Sequence, residues 1–140
     1  MPTTTTHPKK KDKKSKKRNV FGRALLSGYV PIPKGQEVTI DTAIEAVEAV
    51  SKRSIKKPYK CKVLDSVTYL VVRRKNVVDT GKPWKLRVPY LEIYRYFIFA
   101  RDPCLVVLVI PEKTSGYLAY LMLTMETPAQ ASAICDAIQK

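Results

Sequence analysis

From Tyr59 onward the chain is a series of short apolar, β-branched and aromatic runs broken by turn signals, and a single capped helix closes it. No other feature constrains the fold as much. Residues 59–64, 67–73, 84–88, 94–100, 104–110 and 117–125 each read as a strand, being short and rich in Val, Tyr, Phe and Leu. Thr127-Pro128-Ala129-Gln130 then writes a helix start. Thr127 can cap, Pro128 suits the first helical position, and Gln130 can reach back as the far arm of a capping box.

Upstream lie one more strand, a loop and a helix. Residues 24–30 form a plausible first strand, and Pro31-Ile32-Pro33-Lys34-Gly35 interrupts regular hydrogen bonding as a loop. Thr39-Ile40-Asp41-Thr42 offers helix caps, with Thr42 and Glu45 at capping-box spacing. Ile40, Ala43, Ile44, Val47 and Val50 recur at helical spacing opposite Glu45 and Glu48, which predicts a two-sided helix lying across the sheet. Its exposed acidic face would repel phosphate.

The strands indicate their faces. Tyr59-Lys60-Cys61-Lys62-Val63 and Trp84-Lys85-Leu86-Arg87-Val88 alternate apolar with basic residues, so each has one wet, cationic side. Residues 106–110 are apolar at every position, which requires cover on both faces or a sharply curved sheet. Gly81-Lys82-Pro83 and Ser115-Gly116 supply turn chemistry. The final helix turns Ala131, Ile134, Cys135 and Ile138 inward. The economical solution is an α+β fold: a curved antiparallel sheet of about seven strands, as a partly open barrel or orthogonal sandwich, with a helix inserted after strand 1 and a C-terminal helix as its cork. Trp84, Leu86, Val107, Val109, Leu121 and Ile134 are its expected core.

At 140 residues the chain forms one domain, able to bury roughly two-thirds of its unfolded surface. Its net charge of +14 is uneven: Lys9, Lys10, Lys11, Lys13, Lys14, Lys16, Lys17 and Arg18, against Asp12 alone, hold half of it in ten residues. Such a block repels itself, so residues 1–19 are expected to be a disordered lysine-rich arm and 20–140 the folded domain. Three widely separated cysteines lack zinc spacing, and the one histidine, His7, falls in the arm, so a reduced, intracellular protein without metal or cofactor is expected. No signal-peptide core follows the N-terminal charge, and the longest apolar run is too short to span a bilayer, so a soluble protein is expected. With no usable histidine, no glycine-rich phosphate loop and singly scattered acids, the chain does not read as an enzyme.

The order of first strand, inserted helix, six strands and final helix resembles the phosphotyrosine-binding (PTB) domain of the pleckstrin-homology-like superfold, over roughly residues 21–140. Gly28-Tyr29-Val30-Pro31-Ile32-Pro33-Lys34-Gly35 looks like that family's first strand running into a polar loop, and residues 40–50 stand where it inserts a helix. Tyr96-Phe97-Ile98-Phe99-Ala100 followed by Asp102-Pro103 is similar to its fifth strand and acidic turn. Gln130-Ala131-Ser132-Ala133-Ile134-Cys135 resembles its final helix, especially in integrin-tail-binding members. The family's helix usually runs another turn and often carries a Phe against the peptide, whereas here it stops at Lys140.

The resemblance implies a non-enzymatic adaptor that binds an extended cytoplasmic tail of the Asn-Pro-x-Tyr type, from a receptor or integrin-like partner, by adding it to a sheet edge. The matching peptide site is Tyr94, Arg95, Tyr96, Phe97, Ile98, Phe99, Ala100 and Arg101, with a wall of Ala131, Ile134, Cys135 and Ile138. Tyr94, Tyr96 and Ile98 would share one face of that strand, Phe97 and Phe99 the other, and both sets could instead be core. Arg95 and Arg101 are best placed for a phosphate, with Lys60, Lys62, Arg73, Arg74 and Arg87 as outward-facing alternatives. Lys52, Arg53, Lys56, Lys57, Lys60 and Lys62 crowd the helix-to-strand connection and suit anionic phospholipid headgroups. The arm reads as a nuclear-import signal, a membrane tether or a solubilising extension, which puts the protein in the cytoplasm with membrane or nuclear association through the arm. The alternative function is a basic nucleic-acid-binding protein using the arm and the sheet face.

Overall fold

The computed structural model describes residues 19–52, 59–74, 85–112 and 117–139. Residues 1–18 of the predicted arm, Arg53, Lys56, Lys57, Trp84 and the two predicted turns at 81–83 and 115–116 lie outside the described residues, while Asn19, expected as the arm's last residue, opens the first strand.

The elements run β1 (Asn19–Pro31), α1 (Ile40–Lys52), β2 (Tyr59–Ser66), β3 (Tyr69–Arg74), β4 (Lys85–Pro89), a 3-10 turn (Tyr90–Glu92), β5 (Arg95–Phe99), β6 (Asp102–Pro111), β7 (Leu118–Met125) and α2 (Pro128–Gln139). All seven strands join one antiparallel sheet in the order β4-β3-β2-β1-β7-β6-β5. The predicted class holds: an open antiparallel sheet with a helix after strand 1 and a C-terminal helix.

β1 begins well before the expected residue 24 because it serves both halves of the sheet. Its first part pairs with β2 from Asn19 opposite Asp65 to Leu26 opposite Tyr59, and its second part pairs with β7 from Ala24 to Pro31 opposite Ala119. Register shifts at Val20/Gly22 and Leu26/Gly28 bend it between the two, as bulges do. The sheet therefore curls until Leu86 and Val88 of β4 share one core with Val106 and Leu108 of β6 and with Ala131, Ile134 and Cys135 of α2.

Residues 106–110 are covered on both faces, as their composition requires. Val106, Leu108 and Ile110 face the inner core, while Leu105, Val107 and Val109 join Phe97, Tyr120, Met122 and Ala43 in an outer core beneath α1. Leu86, Val107, Val109, Leu121 and Ile134 are buried as expected.

The two helix starts differ in how well local sequence specified them. In α2, Thr127 N–H donates to Gln130 Oε1 (3.2 Å) and Gln130 N–H donates to Thr127 Oγ1 (3.2 Å), the anticipated box. In α1 the box is one turn earlier than expected, because the helix begins at Ile40: Thr39 N–H donates to Thr42 Oγ1 (2.9 Å) and Thr42 N–H to Thr39 Oγ1 (3.2 Å). The Thr42 hydroxyl also meets the Tyr120 hydroxyl at 2.8 Å, pinning the helix to β7. This phase turns Ala43, Ala46, Val47 and Val50 inward and leaves Ile40 and Ile44 exposed, which corrects the expected stripe.

β3 also starts later than its apolar run, at Tyr69, because Val67 is captured into the preceding turn. Asp65 Oδ1 accepts from Val67 N–H (3.1 Å), and Thr68 N–H donates to Ser66 O (2.7 Å) across Val67, whose φ is +63°. That is a γ-turn centred on a β-branched residue, a strained arrangement.

Candidate peptide-docking edge

Among the described strands, β5 is one end of the sheet and pairs only with β6, from Arg95 opposite Val109 to Phe99 opposite Asp102, with an irregularity at Ile98/Phe99. In an antiparallel edge strand alternate N–H and C=O groups point away from the partner, so β5 presents an open row of donors and acceptors. Such an edge is a template for another strand.

The aromatics around it divide as alternation demands. Phe97 is buried in the outer core and Phe99 is half-buried against it, while Tyr96 packs against the inner core. Ile98 is exposed, and Tyr94 lies just before the strand and is exposed. Ala100 and Arg101 form the exposed turn into β6.

The proposed helical wall is placed differently from the sequence reading. Ala131, Ile134 and Cys135 are buried in the inner core, where they plug the curled sheet. Burial pushes the Cys135 thiol up to about 11, with Asp136 adding to the shift, and burial alone pushes Cys61 up to about 11. Ile138 is half-buried, and with Ala137 it lines a cavity of about 570 Å³ walled by Asp65, Val67, Tyr69, Tyr90 and Leu91. The last turn of α2 reaches β5, where Gln139 Nε2 donates to the Tyr96 hydroxyl.

A second hollow, about 560 Å³, adjoins β5 on the α1 side and is lined by Ile40, Ile44, Glu48, Ile98, Phe99 and Arg101 among others. The sequence reading missed Ile40 and Ile44 as surface residues because both fit the helical stripe. Of the two arginines, Arg95 is held on this same side: Nη1 donates to Val38 O (2.7 Å) and the guanidinium lies 4.9 Å from the Phe97 ring centroid. Arg101 is exposed at the rim. The structure thus gathers both arginines toward α1 and leaves Ile138 at the other cavity.

Among the cations expected at the helix-to-strand connection, Lys52 ends α1, while Lys60 and Lys62 project from β2. Tyr90 is the fixed point of the far cavity. Its hydroxyl donates to Asp65 Oδ1 (2.8 Å), and burial, then the Asp65 contact, raises its pKa. Among the described residues, no group of three or more His, Cys, Asp or Glu side chains is placed to hold a metal ion.

A curled seven-stranded antiparallel sheet, a helix inserted after strand 1 and a helical plug at the end define a pleckstrin-homology-like domain. The chain belongs to the trematode PH-like domain family, whose sequence model matches residues 34–140. No curated protein matches it. PH-like domains are generally non-catalytic binding modules.

Proposed function

We propose that this domain is a docking module whose ligand is an extended peptide that adds as an antiparallel strand to the open edge of β5. The observation that carries the reading is the edge itself: β5 ends the sheet, keeps one row of backbone groups outward, and is flanked by an apolar hollow on the α1 side and by the Tyr96–Gln139 contact on the α2 side. Main-chain pairing supplies affinity in this mode, and pockets for alternate side chains supply selectivity. The PTB-like sequence features make a cytoplasmic tail with an Asn-Pro-x-Tyr turn the first ligand to test. With Ala131, Ile134 and Cys135 buried and Ile138 at the other cavity, selectivity on the helical side falls to Gln139.

Titrating the labelled domain with an Asn-Pro-x-Tyr peptide tests this. Amide shifts are expected on residues 95–99 and 138–139, and methylating alternate peptide nitrogens should abolish binding in one phase and spare it in the other. Shifts confined elsewhere, or indifference to both methylation phases, would remove the strand-addition reading. Comparing phosphorylated and unphosphorylated peptides in Arg101→Ala separates phosphate recognition from solvation, since losing a charged hydrogen-bond partner costs about 1.5–3 kcal/mol.

A further inference from the structure

The cavity enclosed by the β2–β3 turn, the 3-10 turn and the last turn of α2, about 570 Å³, has the size of a small-ligand pocket. Its chemistry runs against that of the chain. The protein carries a net +14, yet among the described residues that line this cavity none is a cation, and Asp65 is a carboxylate. Two more exposed carboxylates adjoin the lining in the chain, Glu92 after Leu91 and Asp136 before Ala137. Most of the remaining wall is aromatic or aliphatic, with Tyr69 and Tyr90 beside Val67, Leu91 and Ile138.

The walls are held in place. Asp65 Oδ1 accepts from the Tyr90 hydroxyl at 2.8 Å and from Val67 N–H at 3.1 Å, and Tyr90 N–H donates to Thr68 O at 3.0 Å. These neutral donors orient the carboxylate without cancelling its charge. Val67 is kept at φ +63° and largely exposed, and Leu91 is fully exposed, so the cavity has an uncovered aliphatic rim. Backbone strain of this kind clusters at ligand sites.

We infer that this cavity binds a quaternary ammonium group on an aliphatic stem, the chemistry of a trimethylated lysine side chain in a partner protein. A cation placed over an aromatic face is attracted by the ring quadrupole, and Asp65 supplies the opposite charge. A fully methylated nitrogen has no N–H to satisfy, so it loses nothing from Asp65 Oδ1 being already engaged. A primary ammonium is strongly hydrated and must find acceptors when it leaves water. The stem gains cover against Val67, Leu91 and Ile138. A choline headgroup would bring its phosphate toward Asp65, Glu92 and Asp136, with no cation in the described lining to receive it, so the lysine side chain fits better than a lipid. The lining shares no residue with β5 or with the hollow on the α1 side, so occupancy of the two sites can be measured separately.

The test titrates the isotope-labelled full chain with a capped Gly-trimethyllysine-Gly peptide. Amide shifts are expected on residues 65–69, 89–91 and 137–138. The neutral analogue, with carbon in place of the quaternary nitrogen, should bind about tenfold more weakly, because the attraction to the rings and to Asp65 is lost. The unmodified lysine peptide should also bind more weakly, and phosphocholine should not bind. Tyr69→Leu keeps an apolar wall but removes one ring, so it should weaken the trimethylated peptide about fivefold and leave the neutral analogue nearly unchanged. Asp65→Asn should act in the same direction, but Asp65 also holds Val67 and Tyr90, so the exposed Tyr69 is the deciding position. Equal affinity for the trimethylated peptide and either its neutral analogue or the unmodified lysine peptide would overturn the inference. So would a Tyr69→Leu variant that binds as tightly as the parent, phosphocholine binding as tight as the peptide's, or a titration that leaves the cavity amides unmoved.

Discussion

Gly22 lies directly beneath the side-chain amide of Gln130: a Cβ built on Gly22 would stand 2.6 Å from Gln130 Nε2. The same amide closes the α2 cap, with Oε1 accepting from Thr127 N–H at 3.2 Å and Glu126 N–H at 3.1 Å. Gly22 also has φ +143° and sits at the first bulge of β1. One glycine thus allows the strand to bend and the closing helix to start against it. Gly22→Ala should destabilise the domain by about 1–3 kcal/mol through backbone strain and displacement of the cap. Gln130→Ala alone should cost about 1 kcal/mol. In the double variant the clash is partly relieved, so its loss should fall short of the sum; strict additivity in denaturant melts would show the two residues uncoupled.

Ile134 tests the plug. It is fully buried among strands from both halves of the curled sheet, so truncation opens a cavity that rigid strands cannot collapse into. Ile134→Ala should lower unfolding free energy by about 2–5 kcal/mol, and Ile138→Ala, at a half-buried cavity wall, by clearly less. Equal losses in chemical denaturation would contradict the division between core and surface along α2.

What the sequence revealed follows the range of the interactions involved. The Thr127–Gln130 box is written within four residues and was legible, as was the two-sided cover of residues 106–110, which hydrophobicity alone demands. The start of α1 was not, because Thr39 and Thr42 offer competing caps and the contact of Thr42 with Tyr120, seventy-eight residues away, favours the earlier one. That phase hid the exposure of Ile40 and Ile44. For Ala131, Ile134 and Cys135 the inward-facing side was readable, and Ile134 was expected in the core, but whether inward meant plug or groove depends on how far the sheet curls.

Alkaline pH should unfold this domain early. Cys61 and Cys135 are pushed up to about 11 from an ordinary 9.0, and Tyr90 is raised from 10.0, in each case chiefly by burial. All three favour the protonated, neutral form in the fold, so their contribution is complete below pH 9 and is lost as pH climbs through the raised values. Thermal midpoints should be flat with respect to these groups up to about pH 9 and fall steeply above it. Cys61→Ala with Cys135→Ala should lessen the fall. Thiol labelling at neutral pH should reach the half-buried Cys104 first; faster labelling of Cys61 or Cys135 would contradict their burial.

Val67 should be a residue whose replacement stabilises the protein. Its φ of +63° is costly for a β-branched side chain, and it is 69% exposed, so little packing repays the strain. The turn is enforced from outside: Asp65 grips its amide, and Tyr90 in turn grips Asp65 while its own N–H donates to Thr68 O (3.0 Å). Val67→Gly removes the steric penalty and adds some unfolded-state entropy, for a net gain of about 1 kcal/mol. Asp65→Asn should act oppositely, weakening the acceptor shared by Val67 and Tyr90 at about 1–3 kcal/mol. The discriminating measurement is the double variant Val67→Gly with Asp65→Asn. If Asp65 serves mainly to hold the strained turn, glycine at 67 should diminish the cost of losing its charge, whereas an undiminished loss assigns Asp65 to Tyr90 and the 3-10 turn alone.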